Sequence, residues 1–200
     1  MRSVVTSEDV LAAPEGGEVQ ASPGAVVTPW AREIADTRGV RIVQAGTRQG
    51  RPVVALGADH GGFPLKERIK LLLKERGYTS IDHGTHSSDA VDYPDLAAAV
   101  AESVSTGRAR FGIVVDGAGI GSAMAAGKVP GVRAATCHDV AAARNAREHN
   151  DANVLSLGAG YVDTDALPEI VETFLTRECS EERHARRVAK IDQIEARYRR

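Results

Sequence analysis

From residue 51 onward, short β-branched runs alternate with amphipathic stretches, and this alternation limits the possible folds more than any other feature of the chain. PVVALGAD, YTSIDHG, FGIVVDG, VRAATC and ANVLSLGA read as strands. FPLKERIKLLLKERG, YPDLAAAVAESVSTG, VAAARNAREHN and TDALPEIVETFLTRE read as the helices that follow them. In the first helix Leu65, Ile69, Leu72 and Leu73 recur at i, i+4, i+7 and i+8, the stripe of a helix that covers a sheet. Gly77 then supplies a C-terminal stop. In the last of the four, Leu167, Ile170, Val171, Phe174 and Leu175 form another apolar face. Five strands separated by helices imply an α/β fold with a parallel sheet covered on both sides. Ligands of such sheets bind beyond the carboxyl ends of the strands, so the residues that follow each strand are the first functional candidates.

Residues 1–50 lack this rhythm and read as an N-terminal extension to a domain spanning residues 51–200. PEGGEVQASPG has the composition of a loop. One short helix is signalled: Thr28 can cap it, Pro29 suits its first position, Trp30 and Ile34 share a face, and Gly39 can end it. A net charge of −2 offers no electrostatic basis for binding nucleic acid or an anionic membrane. No apolar run approaches the roughly 20 residues that span a bilayer. The N-terminus lacks a basic start followed by an apolar stretch, so a cytoplasmic protein is expected. Cys137 and Cys179 form no CxxC pair, and the histidines form no HxxxH or HExxH pattern, so neither a disulfide framework nor a metal site is indicated.

Each candidate motif has two readings. Asp59-His60-Gly61-Gly62 follows the first strand and offers a carboxylate, a titrating ring and a sharp turn; a capping Asp beside a surface His is the alternative. Tyr93 precedes Pro94 at a helix start and is either a packing residue or a ligand contact. Asp116-Gly117-Ala118-Gly119-Ile120-Gly121-Ser122 places a Gly-rich turn between strand and helix, which aims backbone N–H groups at an anion. The glycine spacing departs from GxGxxG, so a nucleotide-binding module rests on this turn alone. Asp116 itself is placed for proton transfer or for forming the turn. His149-Asn150-Asp151 closes a helix, either as a cap or as a functional pair. Arg183 and Arg187, at i and i+4 on a C-terminal helix, suit a phosphate or make a solvated face with the nearby acids.

The order of these motifs carries more than any one of them. GADHGGFPLKE, DYPD, GAGIGSAMAAGKVPGVRAATCHD, REHNDANVLSLGA and RHARR, in that order over residues 52–195, resemble the type B ribose-5-phosphate isomerase family, which includes the galactose-6-phosphate isomerase subunits. The resemblance implies a Rossmann-like three-layer sandwich with a five-stranded parallel sheet, an N-terminal extension and a C-terminal helix. It implies an aldose–ketose isomerase acting on a sugar phosphate through an enediolate, most simply ribose 5-phosphate to ribulose 5-phosphate. It also implies a homodimer with sites at the subunit interface and no organic cofactor or metal. By position, Asp59 and His149 correspond to the ring-opening pair. His60, Arg183 and Arg187 correspond to phosphate contacts, Tyr93 and Asn150 to substrate contacts, and Gly117, Gly119 and Gly121 to the oxyanion cradle. Asp116 stands where many members carry a Cys base and can serve as the base if burial raises its pKa. Ser122 stands where other members carry Glu, Ala118 replaces a hydroxyl residue, and Gly160 replaces an Arg. These departures leave open a non-catalytic sugar-phosphate-binding subunit, or one half of a hetero-oligomeric isomerase. The TSEDV and PGAVVTPWAREIADTRGVRIV stretches resemble segments attached to enzymes of bacterial microcompartments, which implies docking to a shell or partner enzyme; a tail packed on the dimer is the alternative.

Overall fold

The computed structural model describes residues 2–44 and 51–199, in two compact units, Met1–Gly50 and Arg51–Arg200. The first unit runs β1 (Arg2–Val5), α1 (Ser7–Leu11), β2 (Glu18–Val27), α2 (Pro29–Arg38) and β3 (Arg41–Gln44). Its three strands form a parallel sheet in the order β1-β2-β3. The stretch PEGGEVQASPG, expected as loop, therefore supplies seven of the ten residues of the central strand, from Glu18 to Gly24. Val19 and Ala21 alternate into a core with Val5, Val10, Ala31, Ala35 and Val40. The break signalled by Pro23 and Gly24 is local: β1 pairs Arg2 with Ala21 and then Val4 with Val26, so the ladder jumps past both residues. Proline has no N–H to give a ladder, which accounts for the jump. Helix α2 has the expected ends. Thr28 accepts from the Ala31 N–H at 3.3 Å, Pro29 opens the helix, and Gly39 closes it in the left-handed region. Its buried face is Ala31 and Ala35, while Trp30 is 59% exposed, a correction to the Trp30–Ile34 face.

The second unit follows with β4 (Val54–Ala58), α3 (Phe63–Glu75), β5 (Ser80–Asp82), α4 (Tyr93–Ser105), β6 (Phe111–Asp116) and α5 (Ile120–Ala126). It continues through β7 (Ala134–Thr136), α6 (Val140–Asn150), β8 (Val154–Gly158), α7 (Leu167–Thr176) and α8 (Glu182–Tyr198). The five strands are parallel, in the order β5-β4-β6-β8-β7. Alternation at period two divides the side chains between two cores. Leu56, Ile113, Val115, Leu155 and Leu157 meet Leu65, Ile69 and Leu73 of α3 together with α6 and α7. Ala55, Val114 and Val154 meet Ala97, Val100, Ala101 and Val104 of α4 and Ala126 of α5. This is the expected three-layer Rossmann-like sandwich. Each fully buried Leu, Ile or Phe contributes about 1.5–3 kcal/mol, and α7 alone buries Leu167, Ile170, Val171 and Phe174 completely. Helix α8 packs on α6 through its first turns, where His184 and Val188 are buried. The order reverses between β4 and β6, whose neighbouring C-terminal ends feed α3 on one face and α5 on the other.

Candidate active site

Asp59 and Asp116 sit side by side at that reversal. Ala58 pairs with Val115, and the Asp59 N–H donates to the Val115 carbonyl at 3.1 Å. Asp59 Oδ1 accepts from the Gly62 N–H at 2.7 Å, so this carboxylate shapes its own turn at the start of α3. His60 is exposed, and its Nδ1 takes the Val91 N–H at 3.4 Å. Tyr93, the first residue of α4, lies against the start of α5. A Cβ on Gly121 would come within 2.6–2.8 Å of its ring and hydroxyl, so only glycine admits Tyr93 here.

Asp116 ends β6 and is 5% exposed. Its Oδ1 accepts from the Ala118 N–H at 2.8 Å and from the Gly119 N–H, and its Oδ2 accepts from the Ser122 N–H at 2.9 Å. Gly119 holds φ at +76°, and its carbonyl accepts hydrogen bonds from the hydroxyls of Thr136 at 2.8 Å and Ser156 at 2.6 Å. Two strands thus pin the turn whose amides surround the carboxylate. Burial pushes the Asp116 pKa up, but bonds from the Ser122 hydroxyl and from the Ser122, Gly119 and Ala118 amides outweigh it and hold the group below the ordinary carboxylate value. The expected rise is therefore corrected to a fall, because charge-stabilising donors outweigh the effect of lost water. Cys137 is buried just beyond β7, and burial pushes its thiol up to about 12, which leaves it inert.

A second polar cluster supports this edge. Lys66 of α3 is fully buried and donates to both oxygens of Asp82 at 2.8 Å and to Glu67 at 2.7 Å. Lys70 reaches Asp82 at 2.6 Å. Burial alone would raise Asp82, but the Lys66 and Lys70 bonds hold it down at about 2. His138 and Tyr161, beyond β7 and β8, bring their rings to 5.8 Å at the same edge. The Lys66 cluster and this aromatic pair go unmarked in the sequence because no spacing rule links their partners.

The other predicted residues lie elsewhere. Helix α6 starts beyond the C-terminal end of β7 and ends before β8 begins, so its 11 residues carry His149 and Asn150 about 16 Å along, to the opposite edge of the sheet. The left-handed cap is Asp151, at φ 45°, rather than Asn150. Asn150 Nδ2 donates to Asn145 Oδ1 at 3.1 Å, which turns the Asn145 amide nitrogen toward His149 Nδ1 at 2.9 Å. With the Asn145 amide in this orientation its nitrogen donates to Nδ1, which favours the tautomer of a neutral ring with the proton on Nε2. The His149 ring stacks on His184 at 4.1 Å between centroids and 11° between planes. Arg183 and Arg187 are exposed on the same α8, with Arg183 Nε bonded to Glu181 at 2.6 Å. One chain therefore gathers Asp59, His60, Tyr93, Asp116, Gly117, Gly119 and Gly121 at one edge of the sheet, and His149 and Asn150 at the other. Among the described residues, no group of three or more His, Cys, Asp or Glu could hold a metal ion, and no helix is long and apolar enough to cross a membrane.

This arrangement has known counterparts. A 50% identical structure, ribose-5-phosphate isomerase B of Clostridium thermocellum, superposes with a TM-score of 0.71 over 73% of this chain and 99% of its own. Ribose-5-phosphate isomerase B of Escherichia coli is 42% identical over 144 residues, 72% of this chain and 97% of that protein. D-erythrulose-4-phosphate isomerase of Pectobacterium atrosepticum is 36% identical over 143 residues, 71% of this chain and 94% of that protein. The ribose/galactose isomerase family model matches residues 54–191, from the first strand of the large sheet into α8. With both the strand-end turns and the sheet order accounted for, the chain belongs to the ribose/galactose isomerase family of sugar-phosphate isomerases.

Proposed function

We propose that this chain interconverts an aldose phosphate and its ketose, ribose 5-phosphate and ribulose 5-phosphate, at a site completed by a second copy of itself. The observation that carries the reading is the Asp116 turn, where a buried carboxylate and a set of aimed amides meet at the sheet's reversal point. Asp116 takes the C2 proton and returns it to C1, while the O2 hydroxyl proton passes to O1. The amides of Ala118, Gly119 and Ser122, released as the carboxylate turns to substrate, then receive the enediolate oxygen. Leaving those amides also restores basicity to Asp116. Asp59 lies beside the reacting end and, with His149 from the second copy, opens the sugar ring. Tyr93 and Asn150 contact substrate, while His60, Arg183 and Arg187 hold the phosphate and lend its binding energy to positioning.

The need for a second copy is supported by the distribution of these residues over two edges of one sheet. Mixing variants tests it. Asp116→Ala and His149→Ala are each inactive alone; after subunit exchange in equal amounts, about a quarter of wild-type activity returns if each site draws on two chains. No recovery despite exchange removes the shared site.

A second reading is favoured by the same turn. Because Asp116 is already saturated by its own amides, the chain could serve as a sugar-phosphate-binding subunit that relies on another chain for the base, as one half of a hetero-oligomeric isomerase. Turnover by the pure protein excludes it. The unit of residues 1–50 stands outside the family match and has its own core, which supports a docking role toward a partner enzyme or a microcompartment shell.

A further inference from the structure

We infer that His184 is a positioning residue for His149, and that it acts through the face of its ring rather than through its nitrogens. The inference rests on the isomerase reading above. The two imidazoles come from different elements, the last turn of α6 and the first turn of α8, yet lie 4.1 Å apart and nearly parallel. His184 is 4% exposed, and neither Nδ1 nor Nε2 has a hydrogen-bond partner among the described residues. The nearest acid oxygen, Glu181 Oε2, is 3.5 Å from Nε2 and outside hydrogen-bonding geometry. Burial first, then the neighbouring His149 and Arg183, hold the ring below the ordinary imidazole value, which favours its neutral form.

A flat, buried ring is a suitable floor for His149. Asn145 fixes the Nδ1 side of that ring, and the stack fixes its plane. With both restrained, Nε2–H keeps one direction, as a group that must donate to a ring oxygen requires. Both imidazoles line a cavity of about 450 Å³ together with Glu148, Thr176, Arg177 and Ser180. The role is confined to ring opening, because His149 has no part in moving the proton between C2 and C1.

Two substrates separate this role from a general one. Ribose 5-phosphate closes to a furanose through its free O4; erythrose 4-phosphate has that oxygen esterified and cannot form the five-membered ring. His184→Ala should lower kcat for ribose 5-phosphate about ten-fold, with erythrose 4-phosphate turnover held to within about two-fold, and His184→Phe should restore the first rate. Equal loss on both substrates would mean a structural or phosphate-binding role, and failure of Phe to restore activity would remove the stack; either result overturns the inference while leaving the isomerase standing. Imidazole NMR of the full protein gives a second readout. A single His149 tautomer is expected in wild type and His184→Phe, with averaging in His184→Ala; unchanged His149 signals in the Ala variant contradict the role. Wild-type protein that turns over neither substrate sinks the isomerase reading and this inference with it.

Discussion

The two edges of the large sheet handle their polar groups in opposite ways. At the C-terminal edge each of three carboxylates is bonded inside the chain: Asp116 to three amides, Asp59 through Oδ1 to the Gly62 N–H, and Asp82 to Lys66, Lys70 and the Gly84 N–H. At the other edge neither nitrogen of the buried His184 has a hydrogen-bond partner among the described residues, and Arg183 and Arg187 stand exposed. The first edge is finished when one chain folds. The second presents exposed arginines beside the stacked His149–His184 pair. A half-site that completes its own bonding fixes geometry, and a half-site that does not is prepared to receive something.

The largest expected effect falls at the finished edge. Asp116→Asn should reduce kcat for ribose 5-phosphate about a thousand-fold with KM nearly unchanged; a wild-type rate would show that the saturated carboxylate is not the base. Next comes a matched pair of cation deletions read by urea unfolding. Lys66→Ala, which leaves Asp82 only Lys70 and the Gly84 N–H, should cost about 1.5–3 kcal/mol, while Arg183→Ala on the exposed helix should cost less than about 0.5 kcal/mol. Equal costs would erase the contrast between the edges.

Acid titration sharpens it further. The folded pKa of Asp82, about 2, lies below its ordinary 3.8, so its contribution is present above about pH 4 and is lost as pH falls toward 2. That contribution amounts to about 2 kcal/mol, and the slope of Tm against pH in this window should flatten in Asp82→Asn. The smallest effect is expected from deleting residues 1–50, which should leave kcat/KM within about two-fold; a folded but inactive truncation would place that unit in the chemistry.

Much of the large unit is legible in the sequence because its strands are buried on both faces and its helices carry strong stripes, as with Leu65–Ile69–Leu73 and Leu167–Ile170–Phe174. The small unit is not, because Pro23 and Gly24 in β2 look like loop although the ladder simply skips them. The polar candidates are visible as motifs, but their states are not. Burial of Asp116 suggests a raised pKa, and only the folded turn supplies the donors that reverse the sign. Nothing within RHARR singles out His184, because ring stacking between α6 and α8 leaves no mark on residue spacing. Asn145 is equally silent: polar residues four apart on a helix are common, and most of them simply face water, so its bond to His149 emerges only in the fold.

The central claim is that this chain removes the C2 proton without a cysteine base. Incubating the pure protein with ribose 5-phosphate in D₂O and following the C2 proton by NMR tests it directly. The account predicts loss of that signal with ribulose 5-phosphate appearing, and loss of both changes in Asp116→Asn. Ribose 5-phosphate that keeps its C2 proton in the presence of the wild-type protein would contradict it.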